Sequence, residues 1–401
     1  MLLLFALFIC SFVSFCDTLH FFDINYGLNE WNEIQSNLRH HLTFGQWVNA
    51  WESIDYQPIY WRFCFWGVNS YLLRFFMGTM CFLSPGARGY RYLWEPSARK
   101  LHSWSQDTMC KIMNGKNLLL IGDSIQEEIF YALISSMSAY TIVPRRFLND
   151  SKYINDKTAN VADRCDTLCN DKRLNSCEGP VLIDCGDHKS FEIGFIRNDH
   201  LNPSDPPHWI DRISNFNPGL LFMNTGAHFL NTSLVLQNIK EAFTKIYTIY
   251  PNISIIYRNT PPGHPKCSET FNSPPLQSIN YSDIMQDHPN YEWSKFESQN
   301  DAVEELIHKE FPQVLQLNYY TASELRADSH PAPDDCLHYC AHSVLETWVL
   351  FFNHALVTLH QFALFKKMHS SSGSSAVSSI KHFSENGLFH FSYVLRVLYL
   401  T

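Results

Sequence analysis

From residue 116 onward, short apolar runs alternate with segments of helical period, and this alternation is what most restricts the fold. The runs are 117–121, 181–185, 220–224, 254–258 and 314–318. Each has strand length and is apolar enough to be buried on both faces. Between them, segment 233–247 places Leu236, Ile239, Ala242, Phe243 and Ile246 at three- and four-residue steps, the spacing of one helix face. Segments 301–308 and 342–360 also read as helices, the second with Leu345, Trp348, Val349 and Phe352 on one side. Strands alternating with helices predict an α/β chain, a parallel sheet covered on both faces. In such sheets ligands sit beyond the carboxyl ends of the strands. This sequence puts Asp123 and Ser124, Asn224, and Arg258 there.

The flanks are organised differently. Residues 17–115 are rich in Trp, Tyr and Phe, carry Cys64, Cys81 and Cys110, and show little periodicity. They read as an irregular, disulfide-stapled N-terminal lobe packed against the sheet. Residues 1–16 are apolar up to Asp17, short for a membrane span and suited to a secretory signal. No Lys or Arg precedes them, and an uncleaved membrane anchor is the alternative reading. The strand–helix alternation defines a domain over 116–368. Residues 369–401 begin with a Ser/Gly run and end in an apolar stretch broken by Arg396, read as a low-complexity tail in preference to a lipid-anchor signal.

Cysteine use points to an oxidising compartment. Without Cys10 and Cys16 of the leader, the twelve cysteines become ten, an even number suited to disulfides. Sequons at Asn149, Asn231, Asn252 and Asn280 fit the same lumen. The net charge of −9 leaves no basic footprint for nucleic acid, and that partner is excluded.

Two short segments carry the chemistry. In the first, the run 118–121 is followed by Gly122-Asp123-Ser124 and then a helical stretch over 125–135. A serine where a buried strand turns into a helix sits beside backbone N–H groups and the positive end of the helix dipole, which stabilise an oxyanion. Ser124-x-x-Glu127 is equally a capping box, so nucleophile and helix cap are both open at this point. The second segment is Asp334-Asp335-Cys336-Leu337-His338-Tyr339-Cys340. A serine nucleophile needs a base, and the base needs a carboxylate to fix its tautomer. Asp335 and His338 supply both from one segment between cysteines. Two rival readings are a structural disulfide knot and a metal site, since His330, Asp335, His338 and His342 cluster. Closed metal sites usually take Cys and His at finger-like spacings, and no metal is expected.

Gly-Asp-Ser on the first strand with Asp-x-x-His near the C-terminus resembles the first and last blocks of the SGNH (GDSL-type) hydrolase fold. The run DDCLHYCAHSVLETWVLFFNHAL at 334–356 is similar to the DCxHWC…DTWN…L end of the PC-esterase family. That family includes the plant trichome-birefringence-like polysaccharide O-acetyltransferases and relatives of the sialic acid O-acetyltransferase. Further blocks fall in matching order: GQWV at 45–48, YRYLWEP at 90–96, NGKNLLLIGDS at 114–124, FMNTGAHF at 222–229 and YRNTPPGHPKC at 257–267.

The resemblance implies an SGNH-like three-layer α/β/α domain. It implies catalysis by Ser124 as nucleophile, His338 as general base and acid, and Asp335 as its orienter. Gly122 and Asp123 belong to the nucleophile turn, and Asn224 and Gly226 fall where related enzymes place oxyanion and substrate contacts. Asn224 reads alternatively as a strand-end turn residue. Arg258 would bind a charged sugar or brace the site, and His264 reads as a surface histidine. Cys336 and Cys340 are expected in disulfides, with Cys267 as a partner. The implied activity is carbohydrate O-acyl transfer, O-acetyl in particular, with no bound cofactor. Its donor would be one such as acetyl-CoA and its acceptor a glycan or polysaccharide, in the Golgi lumen or outside the cell. A carbohydrate acetylesterase and a non-catalytic glycan-binding protein are the alternatives. The plant pattern Arg-Asn-Gln after Gly-Asp-Ser is replaced here by Gln126-Glu127-Glu128. NTGAHF also has an added Ala227 and lacks the paired tryptophans of NTGHWW. Both changes fall on acceptor-binding ground, so the plant acceptor does not carry over.

Overall fold

The computed structural model describes residues 28–49, 92–97, 100–137, 141–144, 180–204, 209–270, 273–278, 291–330, 335–339 and 344–371. The leader, Cys64, Cys81, Cys340, the sequons at Asn149 and Asn280, and the tail beyond 371 lie outside them. The chain divides into two compact units, Met1–Ala355 and Leu356–Thr401.

The first unit is built on a seven-stranded sheet: β3 (Asn117–Gly122), β4 (Thr141–Pro144), β5 (Pro180–Asp184), β6 (Phe191–Arg197), β7 (Pro218–Met223), β8 (Ser254–Arg258) and β9 (Leu315–Leu317), in the spatial order β4-β5-β6-β3-β7-β8-β9. Strands β6, β3, β7, β8 and β9 run parallel. The chain leaves β3 for β6 on one side and continues to β7 on the other. The carboxyl end of β3 is therefore the topological switch point, where such sheets open a crevice.

All five strands read from the sequence are present, but β5 runs antiparallel to β6. The reason is length: only residues 185–190 join the two, far fewer than a crossover connection needs, so the chain turns back as a hairpin. Strand β6 itself escaped the sequence reading because Glu192, Gly194 and Arg197 interrupt its apolar run. Gly194 fits because a Cβ there would stand 2.9 Å from the Phe216 ring.

Strand pleating sorts the core into two layers. On one face Leu119, Ile121, Leu221, Met223, Ile255 and Tyr257 pack against α4 (Trp209–Phe216), α5 (Thr232–Ile249) and α6 (Phe296–Glu310). On the other, Phe195 stacks on Phe130 of α3 (Ser124–Ser136) at 5.8 Å. Phe222 stacks on Phe352 of α7 (Val344–Ser371) at 4.7 Å. This is a three-layer α/β/α architecture. Segment Val344–Phe365 is long and apolar enough to cross a membrane by length and composition. Within the first unit, however, its Val344, Leu345, Trp348, Val349, Phe351, Phe352 and Ala355 are buried in protein.

The described part of the N-terminal lobe has regular structure as well. Helix α1 (Leu28–Thr43) buries Trp31, Ile34, Leu38 and Leu42, a helical spacing diluted in the sequence by Asn, Gln and His. Its Trp31 and Gln35 donate to the Pro312 carbonyl. Strands β1 (Gly45–Asn49) and β2 (Tyr92–Pro96) pair antiparallel, and the buried Arg326 guanidinium lies 4.1 Å above the Trp47 ring. Helix α2 (Gln106–Met113) is capped by Ser105 and tied to the β5–β6 turn by the Cys110–Cys185 disulfide. That bond and a second, Cys267–Cys336, fit an oxidising, extracellular-type compartment.

Phe243 sits fully buried between α5 and the sheet. Phe243→Ala should lower unfolding free energy by about 3–5 kcal/mol, read from urea denaturation.

Candidate active site

Strand β3 ends at Gly122, where no other residue fits. A Cβ would lie 2.9 Å from both the Asn224 carbonyl oxygen and the Gln126 Cβ. The chain then turns into α3, and Asp123 caps that helix: its Oδ1 accepts the N–H groups of Ile125 at 3.0 Å and Gln126 at 3.2 Å. The capping-box alternative for Ser124 is thereby removed. Ser124 Oγ lies instead 2.7 Å from His338 Nε2.

His338 and Asp335 come from a loop ahead of α7. His338 Nδ1 stands 2.9 Å from Asp335 Oδ2 and 3.0 Å from Oδ1. Asp335 Oδ1 also accepts the backbone N–H of His338 at 3.1 Å and of Leu337 at 3.3 Å. The carboxylate thus fixes both the ring and the turn that carries it. Burial alone would raise the Asp335 pKa, but its hydrogen bonds and the His338 charge outweigh burial and bring it down to about 2. For His338 burial opposes the charged ring; the charges of Glu128, Asp335 and Asp123, with the Asp335 hydrogen bond, prevail and push it up to about 9.

Three devices hold this loop. Cys336 is bonded to Cys267, as the sequence suggested. The His264 N–H donates to the Cys336 carbonyl at 2.9 Å. His264, far from being a surface residue, is buried: its ring contacts His330 at 2.7 Å and the Glu324 carbonyl at 2.8 Å. His330 in turn meets the His338 carbonyl. Burial lowers both imidazoles, His264 to about 4. Tyr339, also buried, donates its O–H to the Pro262 carbonyl at 2.7 Å.

Arg258 is wholly inside the protein, so of its two readings bracing is the one the geometry supports. Its Nε donates to Gln126 Oε1 at 2.7 Å, and its Nη2 reaches Asp123 Oδ1 at 3.4 Å. Gln126 continues to the Phe222 carbonyl at 2.8 Å. Asn224, fully buried, follows β7 beside Gly122, with its Nδ2 only 3.4 Å from the Thr225 carbonyl and its Oδ1 without a hydrogen-bond partner among the described residues. Gly226 follows at φ 142°, and a Cβ there would collide with Thr260 Oγ1 at 2.2 Å. The Thr225 and Gly226 carbonyls are pinned by Tyr257, Thr260 and Gln299.

Sequence reasoning missed a second group at this sheet edge. Arg197, at the end of β6, pairs with Asp199 and reaches Glu127 at 3.1 Å, while His228 packs edge-on to Tyr291 at 5.6 Å. Glu127 was visible as a capping-box candidate and as a departure from the plant pattern. Nothing local marked Arg197 as its partner, seventy residues on. Among the described residues no group of His, Cys, Asp and Glu could hold a metal ion.

No family model matches the chain, and no curated protein matches it. Solved structures give weak likenesses. One is a Streptococcus pneumonia protein provisionally named a platelet activating factor, with 14% identity, TM-score 0.31, and 62% of this chain and 91% of that one covered. Another is the periplasmic domain of a lipopolysaccharide acetyltransferase from Salmonella ser. Paratyphi A, with 12% identity, TM-score 0.28, and 63% and 88% covered. Likeness of that order carries no functional argument, and the chemistry is read from the side-chain geometry.

Removing Arg258 would strand Asp123 as a buried, uncompensated carboxylate. Arg258→Met should cost about 3–5 kcal/mol of stability, measured by denaturant titration.

Proposed function

We propose that this protein is a serine-dependent enzyme that moves acyl groups, O-acetyl in particular, on carbohydrate. The observation that carries the reading is the contact of Ser124 Oγ with His338 Nε2 at 2.7 Å, continued to Asp335 at 2.9 Å, at the carboxyl edge of a parallel sheet. His338 takes the Ser124 proton as Oγ attacks the acyl carbonyl carbon. The bond to the leaving group then breaks, and His338 returns the proton to that group. The Ser124 N–H, the Gly226 N–H and the Asn224 amide are the donors proposed for the oxyanion. An acceptor hydroxyl then loses its proton to His338 and attacks the acyl carbon; the bond to Ser124 Oγ breaks and His338 returns the proton to that oxygen.

A glycan is the proposed acceptor and an activated acetyl group such as acetyl-CoA the donor, in the lumen of the secretory pathway; no bound cofactor is required. The likeness of segment 334–356 to the PC-esterase end supports transfer. One observation favours hydrolysis as a second reading: the Asp335 side chain is 39% exposed and that of His338 19%, so water has a route to the base.

Ser124→Ala should lower turnover by about four orders of magnitude or more, with thermal unfolding close to wild type because Asp123 keeps the helix cap. His338→Gln and Asp335→Asn should fall comparably. Near-normal turnover in the Ala variant would refute the nucleophile. Wild-type protein supplied with an acetyl donor, with and without a panel of glycans, should place acetyl on sugar. Acetate released at full rate without glycan, and no acylated product, would select the esterase.

A further inference from the structure

Glu128 lies one helical turn after Ser124 on α3 and is 4% exposed. Its Oε2 accepts the Tyr339 N–H at 3.3 Å, while its Oε1 is buried with no hydrogen-bond partner. A carboxylate offers about four lone-pair sites, and the described residues supply one donor.

Burial is the largest influence and opposes ionisation; of the surrounding charges, Asp335 opposes it too, while a protonated His338 and Arg258 favour it. From the 335–339 loop, Asp335 repels a negative Glu128, and His338 is the group there that can turn positive. From β8, Arg258 attracts it weakly and is already engaged with Asp123 and Gln126. The Tyr339 phenol stays neutral, its pKa raised by burial. On the same helix Glu127 turns away to Arg197.

We propose that Glu128 is a neutral carboxylic acid in the resting site, a positioning residue that holds the Tyr339 amide and, being uncharged, leaves His338 unprotonated as the base. The inference rests on the Ser124–His338–Asp335 reading. One proton can be divided between the two groups in two ways: acid with neutral imidazole, or carboxylate with imidazolium. Only the first arrangement can accept the Ser124 proton. A buried carboxylate with one donor is the more costly form, and burial accordingly raises Glu128 to about 8. The Glu128 charge is also the largest influence lifting His338, and it vanishes when Glu128 is protonated.

The test compares full-length wild type with Glu128→Gln. A carboxyl whose folded pKa lies above its ordinary 4.5 has its full stability below pH 4.5 and loses it as pH rises toward about 8. Glutamine has no proton to lose. The Tm of Glu128→Gln relative to wild type should therefore climb steadily across that window. Glu128→Leu should show the same slope, and serves if the Gln variant fails to fold. A relative Tm that stays level or falls means an ionised Glu128 beside a neutral His338 and overturns the proposal. A climbing Tm shows that the pair holds one proton, and the 15N shifts of the His338 ring at pH 7 then place it, a neutral ring being expected and an imidazolium overturning the proposal. The acid limb of kcat/KM for a simple ester should also stay in place in Glu128→Gln. A downward shift of about 1–3 pH units, expected on removing an ionised neighbour, overturns it too. The Tm and ring-shift measurements together decide the point even if wild type proves inactive, an outcome that would sink the triad reading by itself.

Discussion

Asp123 and Arg258 form an ion pair without solvent contact, 3.4 Å apart beneath the first turn of α3, and the arrangement above it depends on that pair. Buried ion pairs contribute little net stability, since desolving two charges cancels most of their attraction. What this one contributes is position. Asp123 takes over the N-cap, which a Ser in this place would ordinarily fill, so Ser124 keeps its hydroxyl for His338. Gln126 joins the same network, linking Arg258 to the Phe222 carbonyl on β7. The turn after β3 is thereby fixed to both β7 and β8.

The other half of the array needs a different kind of support, because residues 335–339 belong to no long helix or strand. A disulfide, a pair of buried histidines and the Tyr339 hydroxyl hold the loop from separate directions. Each ties it to residues 262–267 or 330, not to α3. The distance of 2.7 Å from His338 to Ser124 is thus the meeting of two segments 214 residues apart in sequence, each with anchors of its own and joined to each other by the Tyr339 N–H on Glu128.

How much of this was legible beforehand follows from the range of each interaction. The strands from 117 to 317 and the helices between them were readable because burial on both faces leaves uninterrupted apolar runs and a helix face leaves a 3.6 period. That Ser124, His338 and Asp335 come together was readable because each belongs to one of two short motifs. The antiparallel β5–β6 hairpin was present in the six-residue spacing but masked by the polar residues of β6. What stayed hidden was pairwise and remote. Arg258 bracing Asp123, Arg197 meeting Glu127, and Glu128 accepting the Tyr339 amide each join residues that carry no mark of their partner. His264 shows the same limit: it is met by Glu324, His330 and Cys336, none of them a neighbour in sequence.

Exposure rises in order along the array, from 5% at Ser124 to 19% and 39% for the side chains of His338 and Asp335. Solvent therefore approaches from the carboxylate end, and the serine end faces Gly122, Asn224 and Gly226, all buried. An acyl group carried by Ser124 would rest on that closed side. Beside it lies Glu127, held by Arg197 and one of the residues at which this chain departs from the plant pattern. If the proposed transfer is right, an acceptor seated there would both present its hydroxyl and keep water off the acyl group. Positioning and water exclusion would then come from one binding event, the condition under which transfer competes with hydrolysis.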